Sequence, residues 1–538
     1  MTVRNSLASH RRERHRSLMQ CSGSFPFFPV ALACFLSATP ALAQTPPQFP
    51  APPTIEQVYQ HVRQDPVRLG LFLRAFPKGA DLHNHLAGAV YAENMLDWAA
   101  RDNLCVSVTQ QRILDRACPH PHTGELPATA LAGQADVENR LVDAMSMRAF
   151  VPTPDDASGH DHFFSAFRRF DVMDTPHAGD MLAEARDRAA RDHVTYLELM
   201  VSPGIGPMIG AGFRHPLQGD GFPAAHQALA PEIPALVQKA RAETDAMEAQ
   251  AQAVLKCGTS QAHPGCDVTT RYLFQTLRTL PPHAVYAQLD AGYATVRADA
   301  RFVGLNIVAP EDNPVAMRDY DLHMRMFQWL NGVYPGVKLS LHAGELTTGL
   351  VPTDGLRHHI REAVRTAGAL RIGHGVDVAL EDDPPALLDI MARQHVMVEI
   401  NLTSNDEILG VKGADHPFNL YRRAGVPLAL STDDEGVSRG DLTQEYLRAV
   451  QTYDLSYADI RQLSRNGLEY AFLPGDSLWA NHQVGTRVAA CQTTSLAEQP
   501  GGTCGDFLKT SEKARLQWAL ETRFASFETV ARHEMLYR

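Results

Sequence analysis

The run ADLHNHL, residues 80–86, decides how this chain is read: a short, mostly apolar stretch ends in two histidines separated by one residue. On an extended strand successive side chains alternate, so His83 and His85 point to the same face. Two neutral imidazoles on one face can share a metal ion, although an HxH pair alone decides little. Seven further runs of this kind follow: 194–201 (VTYLELMV), 272–277 (YLFQTL), 302–308 (FVGLNIV), 337–342 (VKLSLH), 370–374 (LRIGH), 396–401 (VMVEIN) and 427–432 (PLALST). Helical sequence separates most of them. Such alternation predicts a parallel sheet with helices outside it, and eight units predict a closed α/β barrel, a (β/α)8 TIM barrel. His83, His85, His342, His374 and Asp433 all fall at or just past the C-terminal end of a run. Barrel enzymes build their active sites at that face, whereas core histidines would be scattered along the runs.

The chain of 538 residues is 44% apolar and can bury a large core. Residues 1–43 read as a secretory signal peptide: five arginines, an apolar stretch at 25–38, and Ala41-Leu42-Ala43 before Gln44. The expected localisation is the periplasm or outside the cell, with no membrane association after cleavage. Removing the presequence lowers Lys+Arg from 49 to 44 and Asp+Glu from 61 to 60, so the net charge moves from −12 to −16. That balance disfavours nucleic-acid backbones as partners. Residues 44–75 are expected to hold a Pro-rich linker and a helix, residues 76–480 the barrel, and residues 481–538 a loop and a C-terminal helix. Two stretches exceed a minimal barrel and read as insertions, at about 102–145, with little strand pattern, and about 204–265, with a long helix near 234–256.

Six cysteines follow the presequence. They form three near-neighbour pairs, Cys105 with Cys118, Cys257 with Cys266 and Cys491 with Cys504. Of 15 connectivities this local one is expected, since an oxidising compartment makes loop staples useful and no CxxC spacing suggests zinc.

His83, His85, His342 and Asp433 together make a shell of three nitrogens and one oxygen with room for a water. It suits one zinc ion per chain, and iron or manganese could also fill it. None of the seven lysines lies in the 302–308 run, which argues against a bridge between two metals. Glu345, three residues after His342 on a Gly-containing turn, is placed to donate a proton to a ring nitrogen or, alternatively, to cap the following segment. His374, between the glycines of RIGHG, could ligate, but with three histidines already assigned it reads as orienting and stabilising an attacking hydroxide. Asp434 reads as a substrate contact or as part of a solvated turn.

The set FPKGADLHNHLAGAVYAE (76–93), YLELMVSP, LSLHAGE, RIGHG, EINLTSND and LALSTDDEGV, with NGLEYAFL at 466–473, resembles the adenosine deaminase family of metal-dependent hydrolases. Export and a Cys-stapled insert are similar to its extracellular, growth-factor-like branch. The resemblance implies a (β/α)8 barrel that replaces a purine 6-amino group by oxygen, with a small purine nucleoside as partner; a homodimer is compatible with it. It makes His83, His85, His342 and Asp433 zinc ligands, Glu345 the proton donor to purine N1, His374 the residue that positions hydroxide, and Asp434 the N7 contact. The family's Gly-containing turn, whose backbone touches purine N3, reads Ala309-Pro310-Glu311 here, so that contact would fall to Ala309 or Glu311. Ala87 stands where members that read ribose carry Asp, Pro310 follows Ala309, Met200 stands where Arg is common, and Glu435 where Pro is common. The expected reaction is hydrolytic deamination of adenosine or 2′-deoxyadenosine. The alternatives are adenine or a modified 6-aminopurine nucleoside as substrate, or a secreted purine-binding or signalling protein without turnover.

Overall fold

Asp65 and Pro66 split the segment that opens the fold into two helices, Ile55–Val62 and Pro66–Ala75, where the sequence suggests one helical run. Proline disfavours helical backbone at the residue before it, and Asp65 accepts from the amides of Val67 and Arg68 as the cap of the second helix. The computed structural model describes residues 53–154 and 156–534. The signal peptide expected at 1–43 and nearly all of the Pro-rich linker lie outside those residues.

Strand β1 (Gly79–His85) comes next and is followed by the first insertion. There the structure departs from the expectation of little strand pattern. Short strands β2 (Leu104–Ser107), β3 (Arg112–Ala117) and β4 (Glu125–Pro127) form an antiparallel sheet in the order β3-β2-β4. The Cys105–Cys118 bridge ties β2 to the end of β3, so a covalent link does part of the work that apolar alternation would otherwise do.

The chain then runs through β5 (Val194–Val201), β6 (Thr269–Leu277), β7 (Phe302–Val308), β8 (Ser340–Ala343), β9 (Arg371–His374), β10 (Met397–Ile400) and β11 (Leu428–Leu430). These seven and β1 pair in parallel as two four-stranded sheets, β1-β5-β6-β7 and β8-β9-β10-β11. Parallel bridges Leu305↔Leu339 and Asn84↔Asp433 join the sheets on both sides, which closes the barrel. Helices separate successive barrel strands, and the fold is the (β/α)8 barrel that the eight runs predict. The second insertion holds three helices, the longest at Ile233–Val254, and is closed by the Cys257–Cys266 bridge. The C-terminal region carries two helices, Gly502–Thr510 and Glu512–His533, where the sequence suggests one. Ser511 divides them by capping the second through its side chain. The Cys491–Cys504 bridge lies in a small separate apolar cluster with Trp479 and Trp518. Among the described residues no helix is long and apolar enough to cross a membrane.

The barrel interior is charged at its centre. Arg371, fully buried, spans Glu198 and Glu399 with bonds of 2.6 Å to each carboxylate, and Phe472 lies against its guanidinium. Glu399 turns its other oxygen to His83 Nδ1 at 2.7 Å, linking this ion triad to the C-terminal face.

Candidate active site

Four strand ends bring the histidines and aspartates together. His83 and His85 close β1, His342 lies in β8, His374 ends β9, and Asp433 and Asp434 follow β11. His374 and Asp433 sit at positive φ, 69° and 61°. For residues other than glycine that left-handed backbone is uncommon and gathers at functional sites. The flanking Gly373 and Gly375 leave room for it: a Cβ on Gly373 would come within 2.5 Å of the His83 ring.

His83, His85, His342 and Asp433 offer ligand atoms that all lie within 4.8 Å of one another. Asp433 Oδ1 stands 3.3 Å from both His83 Nε2 and His85 Nε2, and His85 Nε2 is 3.2 Å from His342 Nε2. Tetrahedral zinc with bonds of about 2.0–2.1 Å sets its ligand atoms roughly 3.3 Å apart, so the spacing suits such an ion.

The hydrogen bonds on the far side of each ring give the same answer. His83 Nδ1 faces Glu399 at 2.7 Å, His85 Nδ1 faces Gln275 Oε1 at 2.7 Å and His342 Nδ1 faces Asn306 Oδ1 at 2.8 Å. Each Nδ1 donates to an oxygen, which leaves three Nε2 lone pairs aimed at one point. Lone pairs 3.2 Å apart repel unless a cation sits between them. Charge favours a cation at the same point: burial opposes a charge on His83, but Asp433 and Glu399 outweigh it and lift the ring to about 10, so that a proton sits on Nε2 where a metal would otherwise take the lone pair. The residues fit a divalent metal.

Glu345 and His374 flank this cluster. Burial, reinforced by the Asp433 charge, holds the Glu345 carboxyl well above the usual carboxylate range. The amides of Gly344 and Glu345 both donate to Glu311, which also accepts from His359 at 2.6 Å and fixes the turn. Burial pushes His374 down to about 3, leaving the ring neutral. Asp434 is lifted by burial to about 7, against the pull of His85 and with the help of Asp433.

Ala309 lies at φ 82°, and its carbonyl accepts from Arg278 Nε at 2.8 Å. The Glu311 side chain is engaged with the Gly344–Glu345 turn. Met200 is buried and takes a contact from Asn306 Nδ2 at 3.2 Å. Glu435 pairs with Arg188 at 3.1 Å. The three cysteine pairs named from the sequence are brought together, with Cα separations of 4.7, 5.6 and 4.7 Å. Sequence reasoning missed Gln275, Asn306, Glu399 and Arg371, and it named Glu311 only for its backbone. Their signal is a polar residue interrupting, or just following, an otherwise apolar strand run.

Residues 122–480 match the family model described as adenosine deaminase. The chain belongs to the adenosine deaminase family. The matched residues hold His342, Glu345, His374, Asp433 and Asp434, while His83 and His85 precede them. Among curated members of the family, adenosine deaminase of Salmonella schwarzengrund (strain CVM19633) is 41% identical over 142 residues, which is 26% of this chain and 39% of that protein. The Enterococcus faecalis (strain ATCC 700802 / V583) protein is 38% identical over 141 residues, 26% of this chain and 38% of its own length. The chain thus spans about two-fifths of the length of the curated relatives it matches. Solved structures with looser likeness include an adenine deaminase from Arthrobacter aurescens, at TM-score 0.48 and 18% identity over 74% of this chain and 94% of that one. An Arabidopsis N6-mAMP deaminase gives 0.47 and 19%, over 75% and 96%. Members of the adenosine deaminase family are metal-dependent hydrolases, in keeping with the four converging side chains found here.

Proposed function

We propose that this protein is an exported zinc aminohydrolase that deaminates adenosine or 2′-deoxyadenosine, yielding the inosine product and ammonia. The observation that carries the reading is the opposed chemistry at one point: three imidazole Nε2 atoms and a carboxylate converge beside the buried Glu345 carboxyl, which burial holds well above the usual carboxylate range. His83, His85, His342 and Asp433 would hold one zinc ion per chain. When bound, zinc supplies the Lewis acidity that makes water a nucleophile at neutral pH.

The remaining steps fall to the protein's own groups. Attack at C6 breaks the aromaticity of the purine and puts electron density on N1. Glu345 supplies the proton N1 then needs. His374 Nε2 orients the attacking oxygen. Asp434, protonated below about 7, donates to N7, a nitrogen that only accepts. The proton water gives up on attack restores Glu345; as the tetrahedral carbon collapses, the proton of the added hydroxyl passes to the amino nitrogen, the C6–N bond breaks, and ammonia leaves a C6 carbonyl.

Ala87 and the Ala309-Pro310 turn favour a second reading, in which the substrate is adenine or a modified 6-aminopurine nucleoside. A methyl group at 87 offers no acceptor to a sugar hydroxyl, and proline offers no N–H to N3. Export to the periplasm or medium belongs to the same proposal, supported by the composition of residues 1–43 and by the three disulfides. Mature protein should begin at Gln44 by N-terminal sequencing.

The test follows the loss of the adenosine absorbance band with purified mature protein and added zinc, with adenine, AMP and N6-methyladenosine in parallel. Turnover of adenosine supports the first reading, and turnover of another purine alone supports the second. Silence across the panel with zinc bound rejects both and leaves a purine-binding or signalling protein.

A further inference from the structure

His374 differs from the other three histidines in what its Nδ1 faces. Asn405 Nδ2 stands 2.9 Å away and Asn401 Nδ2 3.5 Å. Glu345 Oε1, at 3.6 Å, is beyond hydrogen-bond range. An amide NH2 can only donate, so Nδ1 accepts.

The amide orientation is itself fixed. Asn405 Oδ1 lies 3.0 Å from His416 Nε2, and His416 Nδ1 accepts from the backbone N–H of Phe418 at 3.1 Å. A backbone N–H has no other role than donor. His416 therefore carries its proton on Nε2, Asn405 turns its oxygen to that proton, and the amide donates to His374. The direction of every bond follows from one backbone group. Asn405 and His374 are fully buried and His416 nearly so, which keeps water from reversing the chain. Nε2 of His374, without a hydrogen-bond partner among the described residues, points toward Asp433 Oδ2 at 3.7 Å.

We propose that Asn405 and His416 are positioning residues that hold His374 as the Nε2–H tautomer, so that it donates to the attacking oxygen and cannot ligate the metal. The role given to that donated proton rests on the deaminase reading; the hydrogen-bond pattern does not. It also separates four histidines that look alike in the sequence: three meet oxygen acceptors at Nδ1, and one meets a donor.

Neutron diffraction from deuterium-exchanged crystals of the zinc-loaded protein reads the tautomer without reference to activity. Deuterium on His374 Nε2 is expected, and deuterium on Nδ1 overturns the proposal. In solution, Asn405→Asp replaces the donor by an acceptor of the same shape. Its kcat should fall ~10²-fold or more, the scale of a lost proton donor, with zinc content unchanged and KM within about threefold of the parent. A kcat near the parent's, or a loss that tracks loss of zinc, overturns the proposal. His416→Gln keeps both a donor and an acceptor and should retain far more kcat than His416→Leu; equal losses count against the relay. Deuterium on Nε2 in a protein that deaminates no purine would leave the relay standing and remove the deaminase reading instead.

Discussion

The amide of Asp433 donates to the carbonyl of His83 at 2.8 Å, and the amide of His85 donates back to the carbonyl of Asp433 at 3.1 Å. The hydrogen bonds that close the barrel between its first and last strands thus join three of the four residues whose side chains converge on the metal-type site. Thr432 and Asp81 reinforce the seam, with Thr432 Oγ1 donating to Asp81 at 2.6 Å. Whatever draws the four side chains together also draws the barrel shut.

Chelation should therefore lower stability as well as activity. Ligand that binds only the folded state stabilises by about 4 kcal/mol at a thousandfold excess over Kd. The expected outcome is a lower Tm after metal removal, restored by zinc, and no zinc response in His83→Ala. Differential scanning calorimetry with elemental analysis checks this, and an unchanged Tm in verified metal-free protein contradicts it.

Arg371→Met should destabilise by roughly 3–5 kcal/mol, because it strands Glu198 and Glu399 in the barrel interior without their cation. Urea unfolding measures it. Freed of Arg371, Glu399 is also expected to hold His83 less firmly, so zinc affinity should fall. A variant as stable as the parent would show the triad to be dispensable.

His323 gives the fold a pH dependence of known sign. The ring is fully buried, and burial pushes it down to about 4, with Asp319 opposing and Arg278 and Arg318 assisting. The unfolded chain binds a proton near pH 6.5 and the native chain only near 4, so the native state loses stability as pH falls between those values. The contribution is of order 3 kcal/mol at 1.36 kcal/mol per unit. Unfolding of His323→Leu, followed from pH 7 to pH 4, should show less of this loss than the parent; parallel curves would refute the assignment.

Ala309→Gly should stabilise the protein by about 1 kcal/mol. A left-handed residue with a Cβ costs about 1–2 kcal/mol, partly offset by the extra entropy of glycine in the unfolded chain. Thermal unfolding decides it, and a lower Tm would mean that the alanine methyl is better packed than its backbone is strained.

The parts legible in the sequence were those where residue type and position coincide. His83, His85, His342, Glu345, His374 and Asp433 sit at the ends of strand-like runs, so topology alone brings them together. Gln275, Asn306 and Glu399 were not read, because their purpose depends on which strand lies beside which. Asn405 and His416 were hidden for a similar reason: Asn405 reaches His374 from a helix that follows the next strand, and His416 acts only through Asn405 from the loop beyond. Arg371 was passed over inside RIGHG, where the glycines and the histidine draw the eye. Strands β2 to β4 escaped because they are short and braced by Cys105–Cys118 rather than by a long apolar alternation.

The three disulfides close separations of only 13, 9 and 13 residues, and each cysteine is joined to its nearest neighbour in the chain. The pairing is therefore the order of synthesis. Under the export proposed above, with the chain crossing N-terminus first, each second thiol emerges while its own partner is the one unpaired thiol among these six already outside. On that proposal the order of emergence favours the native connectivity, and no bridge is needed between distant parts of the barrel.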